Sequence, residues 1–168
     1  SNGESAPFVS VDVSVNGAPT ITTPSVVRAP AGLVTPVPLM KVAETGNTTG
    51  EVFVVVLSDA YGLLSANFGG SPVIGSGTNH LTLSGSLDQV NAELASLTIT
   101  GTVVGLEFIT GGVGDGFGNA SGQFRIPVVT EKTWTSTVAS DPNNWNNAAN
   151  WTTPGAPIAG QDIFIPGT

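Results

Sequence analysis

The sequence predicts an all-β chain, an antiparallel Greek-key β-sandwich with one short helix and flanking extended segments. Three observations predict it. Residues Phe8–Val15 alternate between apolar and polar from Val9 onward, the period of a strand buried on one face. The 22 glycines and 12 prolines punctuate the chain too often for long helices and mark short strands joined by turns. Only 10% of residues are charged while 40% are hydrophobic, so the surface relies on Thr, Ser and Asn, a composition that favours strands.

In chain order, the Phe8–Val15 strand stops at Asn16-Gly17-Ala18-Pro19, a turn dipeptide followed by a proline. Strand candidates follow at Ser25–Ala29, Val37–Val42, Glu51–Ser58, Leu63–Ala66, His80–Ser84, Leu97–Gly101, Leu106–Thr110 and Gln123–Val129, the spacing of a sandwich. Val52–Leu57 is apolar at every position, which predicts a central strand covered on both faces. Pro127 removes an amide donor and predicts an edge or a bulge for the last strand. The single helix is expected at Ser86-Leu87-Asp88-Gln89, a capping box, with Leu87, Val90 and Leu94 on one face. The predicted core comprises Val54, Val56, Leu64, Leu81, Leu83, Leu94, Leu97 and Phe124. Three units result: residues 1–17, a strand ending a preceding repeat or donated to a neighbour; 18–130, the sandwich; and 131–168, a Trp-rich β segment opening a further module.

Composition narrows the function. The net charge is −8, and the four basic residues, Arg28, Lys41, Arg125 and Lys132, are scattered. That field repels phosphate backbones and anionic bilayers, so neither nucleic acid nor membrane insertion is expected. No apolar run approaches the length of a membrane span. The absence of cysteine excludes disulfides, thiolate metal ligation and cysteine catalysis. His80 is the one histidine, and no nucleophile elbow, zinc-protease motif or P-loop occurs, so the chain is expected not to be an enzyme.

The stretch Leu81-Thr82-Leu83-Ser84-Gly85 followed by Val90-Asn91-Ala92-Glu93-Leu94-Ala95-Ser96-Leu97 resembles the signature of cadherin-like, immunoglobulin-like repeats of large bacterial surface adhesins and secreted exoproteins. Gly62–Ala66, Gly75-Ser76-Gly77 and Asp115-Gly116-Phe117-Gly118-Asn119 are similar to flanking parts of the same repeat. Trp134, Trp145, Asn150-Trp151, Pro157 and Asp162–Pro166 resemble the opening segment of passenger-type modules. The resemblance implies an extracellular, cell-surface protein whose partners are neighbouring repeats or copies of itself. The acidic linker of calcium-rigidified cadherins is missing between residues 16 and 20.

Calcium is the one cofactor for which the sequence offers ligands; the other expectation is none. Gly111–Asp115 fails the stacked calcium-turn pattern because its aspartate comes one residue early. A single site from Asp115 and Asn119, joined by Glu44 or Asp59 from another loop, is the remaining candidate, set against plain turn hydrogen bonding by Asp115. The carboxylates form no dense run, so chelation is expected to lower thermal stability only modestly.

The expected function is a non-catalytic structural spacer or adhesion module of a large extracellular surface protein. The first alternative is a filament subunit joined by a donated N-terminal strand presenting Val9, Val11, Val13 and Val15 on one face. The second is a carbohydrate-binding module that stacks surface glycans on Trp134, Trp145 and Trp151.

Overall fold

The structure, a computed structural model, describes residues 16–67, 70, 73–135, 141, 143–152, 156–158 and 161–165. The valines proposed for strand donation, Val9, Val11, Val13 and Val15, lie outside the described residues.

The chain is all-β with one α-helix. Its strands are β1 (Thr20–Thr22), β2 (Ala29–Pro30), β3 (Val34–Pro36), β4 (Lys41–Ala43), β5 (Phe53–Ser58), β6 (Leu63–Ser65), β7 (Val73–Ile74) and β8 (His80–Gly85). After α1 (Leu87–Ala95) come β9 (Thr98–Thr100), β10 (Gly105–Gly114), β11 (Asn119–Val129), β12 (Glu131–Thr133) and β13 (Asp162–Phe164). A six-stranded sheet runs β2-β11-β10-β5-β8-β7, and a three-stranded sheet runs β3-β9-β6. Both feed one core: Phe53, Leu57, Leu81, Ile109 and Phe124 from the larger sheet pack with Leu64 and Ile99 from the smaller, in a sandwich-like arrangement. Not every pairing is antiparallel, because β2 lies parallel to β11 through Ala29–Val128 and Pro30–Val129.

The helix closes one side of this core. The Gln89 amide donates to Ser86 Oγ at 3.4 Å and the Ser86 amide to Gln89 Oε1 at 2.9 Å, forming the capping box legible in the sequence. Val90 and Leu94 are fully buried and Leu87 is half-buried, as their spacing requires, and Glu93 is buried beside them. Asn91 fixes the helix to β4 by exchanging both hydrogen bonds with the backbone of Val42.

Three expectations need correction. β5 is central, between β10 and β8, but its outward residue Val54 is 40% exposed; Phe53, Val55 and Leu57 are the inward set. A run that is apolar at every position carries no phase, and Val54 and Val56, expected in the core, lie on the outward face. β11 is not at the edge but next to it. The Arg125 and Val129 carbonyls, on the same side as the missing amide of Pro127, accept from Val27 and Ala31, and this sparse pairing with β2 tolerates the proline.

The third correction concerns Gly111–Gly114 and Asn119–Gly122, which look like loop but belong to the long β10–β11 hairpin. Glycine is needed because β1 crosses the hairpin closely. A methyl group on Gly111 would meet Leu57 Cδ2 at 2.9 Å, one on Gly122 would meet Thr23 Cγ2 at 2.9 Å, and Ile21 lies against both.

Among the described residues, none beyond β11 belongs to the core cluster. β12 pairs in parallel with β13, and the tryptophans form a small separate cluster.

Candidate metal centre

Four connections converge at the end of the sandwich where residue 16 joins it. Glu44 follows β4, Glu51 lies two residues before β5, Asp115 follows β10, and Asn16 leads into β1. Antiparallel pairing brings Val54 opposite Gly114, so the start of β5 and the end of β10 lie side by side and carry Glu51 and Asp115 to the same place. Carboxylate oxygens of Glu44, Glu51 and Asp115 all lie within 4.8 Å of one another. That is the separation of ligands sharing one ion at the 2.3–2.6 Å bonds of calcium.

The incoming chain is tied to this cluster. Asn16 donates its side-chain amide to Glu51 Oε1, and the Gly17 amide donates to the Thr45 carbonyl at 2.9 Å. The hairpin turn then positions Asp115. Its Oδ1 accepts from the amides of Phe117 and Gly118, both at 2.8 Å, which is the turn-stabilising role read from the sequence. The second oxygen, Oδ2, remains. Together with Asn16 Oδ1, both carboxylate oxygens of Glu44 and Glu51 Oε2, it is shut off from solvent without a hydrogen-bond partner among the described residues.

Five sequestered acceptors without a donor are electrostatically unfavourable. The strain registers on Glu44, pushed up to about 7 by burial first and then by the neighbouring Asp115 and Glu51 carboxylates. Asp115 goes the other way: burial works to raise it, but the Gly118 and Phe117 amides outweigh burial and hold it below the usual carboxylate range. Hard oxygen donors of this kind suit Ca²⁺, which takes six to eight of them, with water or carbonyls completing the shell.

Of the residues singled out from sequence, Asp115 and Glu44 meet. Asn119 is exposed, and its Oδ1 lies against Gly114. Asp59 is at the other end of β5, about 20 Å away at the rise of a strand, and cannot share an ion with Asp115. Glu51 and Asn16 were not anticipated. The sequence offered one clue, the Asn16-Gly17 turn placed where an inter-repeat linker would be. Three carboxylates converge here although the sequence shows no dense acidic run.

The other candidates are arranged as follows. Trp134 stacks on Trp145 with ring centroids 5.4 Å apart, and Trp151 meets both edge-on at 4.9 and 5.5 Å. Trp151 is 3% exposed and donates its indole N–H to the Trp145 carbonyl at 3.0 Å; Trp145 is 48% exposed. The rings thus bury one another and make a small core of their own instead of three parallel platforms. His80 lies opposite Ser58 on β5, with Ser58 Oγ and His80 Nδ1 at 2.8 Å, an exposed cross-strand pair. Among the described residues no helix is long and apolar enough to cross a membrane.

Comparison of the chain with protein-family models, curated proteins and solved structures gave no match.

Proposed function

We propose that the chain is a non-catalytic structural module of a large extracellular surface protein, and that a calcium ion sets the joint where residue 16 enters the sandwich. One observation carries the calcium part of the reading: Glu44, Glu51 and Asp115 each bring a carboxylate oxygen within 4.8 Å of the others, among oxygens that are sequestered without a hydrogen-bond partner. A calcium ion there bridges the incoming segment to three separate connections and converts mutual repulsion into attachment. The acidic charge, the mostly β structure and the low proportion of charged residues support the extracellular spacer part.

Calcium titration of the intact chain, followed by calorimetry and by protease cleavage near residues 15–19, tests the reading. Binding of calcium with protection of that segment is expected. The absence of both heat and protection at millimolar calcium would refute it.

A further inference from the structure

The opposite end of the sandwich holds a second acidic pair that the first site does not use. Asp59 follows β5 and Glu107 is the third residue of β10, with Ser58 opposite Thr110 bringing the two ends together. Asp59 is 6% exposed and Glu107 5%. Both oxygens of Glu107 and Oδ2 of Asp59 lack a hydrogen-bond partner among the described residues. Asp59 Oδ1 is fixed by the Tyr61 amide at 3.1 Å, which leaves Oδ2 to face its partner.

Glu107 breaks the rule of its own strand. The inward set of β10 continues with Ile109, Gly111 and Val113, all buried, and register puts a carboxylate where a branched aliphatic belongs. Local rules broken inside a core mark functional positions. Gly62 adds to this: a methyl group there would meet Asp59 Oδ2 at 2.8 Å, so the glycine keeps space beside that oxygen. Burial, and then the Asp59 carboxylate, push the Glu107 carboxyl up, with the Val103 amide offsetting part of the effect. Two buried carboxylates in contact cannot both stay charged unless a cation lies between them, and otherwise share a proton.

We propose that Asp59 and Glu107 hold a second divalent cation of the hard, oxygen-seeking class, such as Ca²⁺ or Mn²⁺, in a site independent of the first. The two sites lie about 26 Å apart, at opposite ends of β10. Three orphaned carboxylate oxygens supply the charge, and backbone carbonyls or water complete the shell.

Calorimetric titration of the intact chain with Ca²⁺, repeated with Mn²⁺, tests this. The wild type is expected to bind two equivalents. Asp59→Asn and Glu107→Gln are each expected to bind one, as is the double substitution Glu44→Gln with Asp115→Asn, and the combined variant none. Asp59→Asn and Glu107→Gln preserve volume and remove repulsion, so their metal-free forms should melt at or above the wild-type temperature, which separates loss of binding from loss of fold. One equivalent that disappears only in the Glu44/Asp115 variant overturns this second site and leaves the first intact. Two equivalents surviving Asp59→Asn or Glu107→Gln also overturn it. A wild-type chain stabilised by acid and indifferent to both metals would assign the Asp59–Glu107 pair a shared proton in place of a cation.

Discussion

Glu44 is ionisable at an ordinary value of 4.5 and is held near 7 in the folded chain, so its protonated form favours the folded state. Its contribution is fully present below about pH 4.5 and is lost as the pH rises through about 7, because between those values the folded chain binds more protons than the unfolded one. The metal-free protein is therefore expected to melt at progressively lower temperature from pH 5 to 7.5, and Glu44→Gln should flatten that slope. Calcium should reverse the trend, binding more tightly as Glu44 ionises. Melting curves in chelator and in calcium across this range check both signs. At this scale the sequence was half legible. Asp115 announced itself through its Gly-rich turn, whereas Glu51 is an ordinary residue in linear order and reaches Asp115 only because β5 and β10 pair antiparallel, with Asn16 tied to it by a hydrogen bond.

The helix was the most legible element because everything that defines it is local. Removing its cap by Ser86→Ala should lower stability by about 1 kcal/mol, measured by denaturant unfolding, with the folded spectrum unchanged. The β10–β11 hairpin was the least legible, since its glycines imitate loop composition and the strand they need to accommodate, β1, was itself unpredicted. Gly111→Val tests the crowding at this position, where Leu57 of the paired strand β5 is the nearest neighbour. With Leu57 2.9 Å from the new Cβ, overpacking should cost about 1–3 kcal/mol, whereas valine at an uncrowded strand position would stabilise. Val54 and Val56 were misplaced for the opposite reason: an all-apolar strand hides which face is wet until its neighbours fix the register.

For the whole molecule, the core described from Val27 to Val128 and the tryptophan cluster share no buried residue, so the two should melt separately. Trp151→Ala, which removes the ring that the other two enclose, should release the segment beyond β12 to protease while leaving the sandwich transition in place. A single coincident transition in calorimetry would refute that independence. Calcium at a hundredfold excess over its dissociation constant contributes about 2.7 kcal/mol, which for a domain of this size is a rise of about 10 °C in the sandwich transition and little change in the other. The sequence reading separates residues 18–130 from a Trp-rich 131–168, but nothing in linear order tells three spaced tryptophans to pack on one another.

The chain enters the sandwich beside the β10–β11 turn and leaves it from the far end of β11, about 33 Å away along a strand of this length. A pull applied between those points runs parallel to the hairpin and loads its ten residue pairs side by side. Hydrogen bonds loaded in this way must yield together, while those pulled open from one end yield in succession. Stretched at its two junctions, the sandwich should therefore resist as a shear lap joint, with a high rupture force and a short distance to failure. The same molecule pulled between Gly105 and Val128, which face each other in one residue pair, would instead open the hairpin from one end. Single-molecule extension in these two geometries would compare the forces directly.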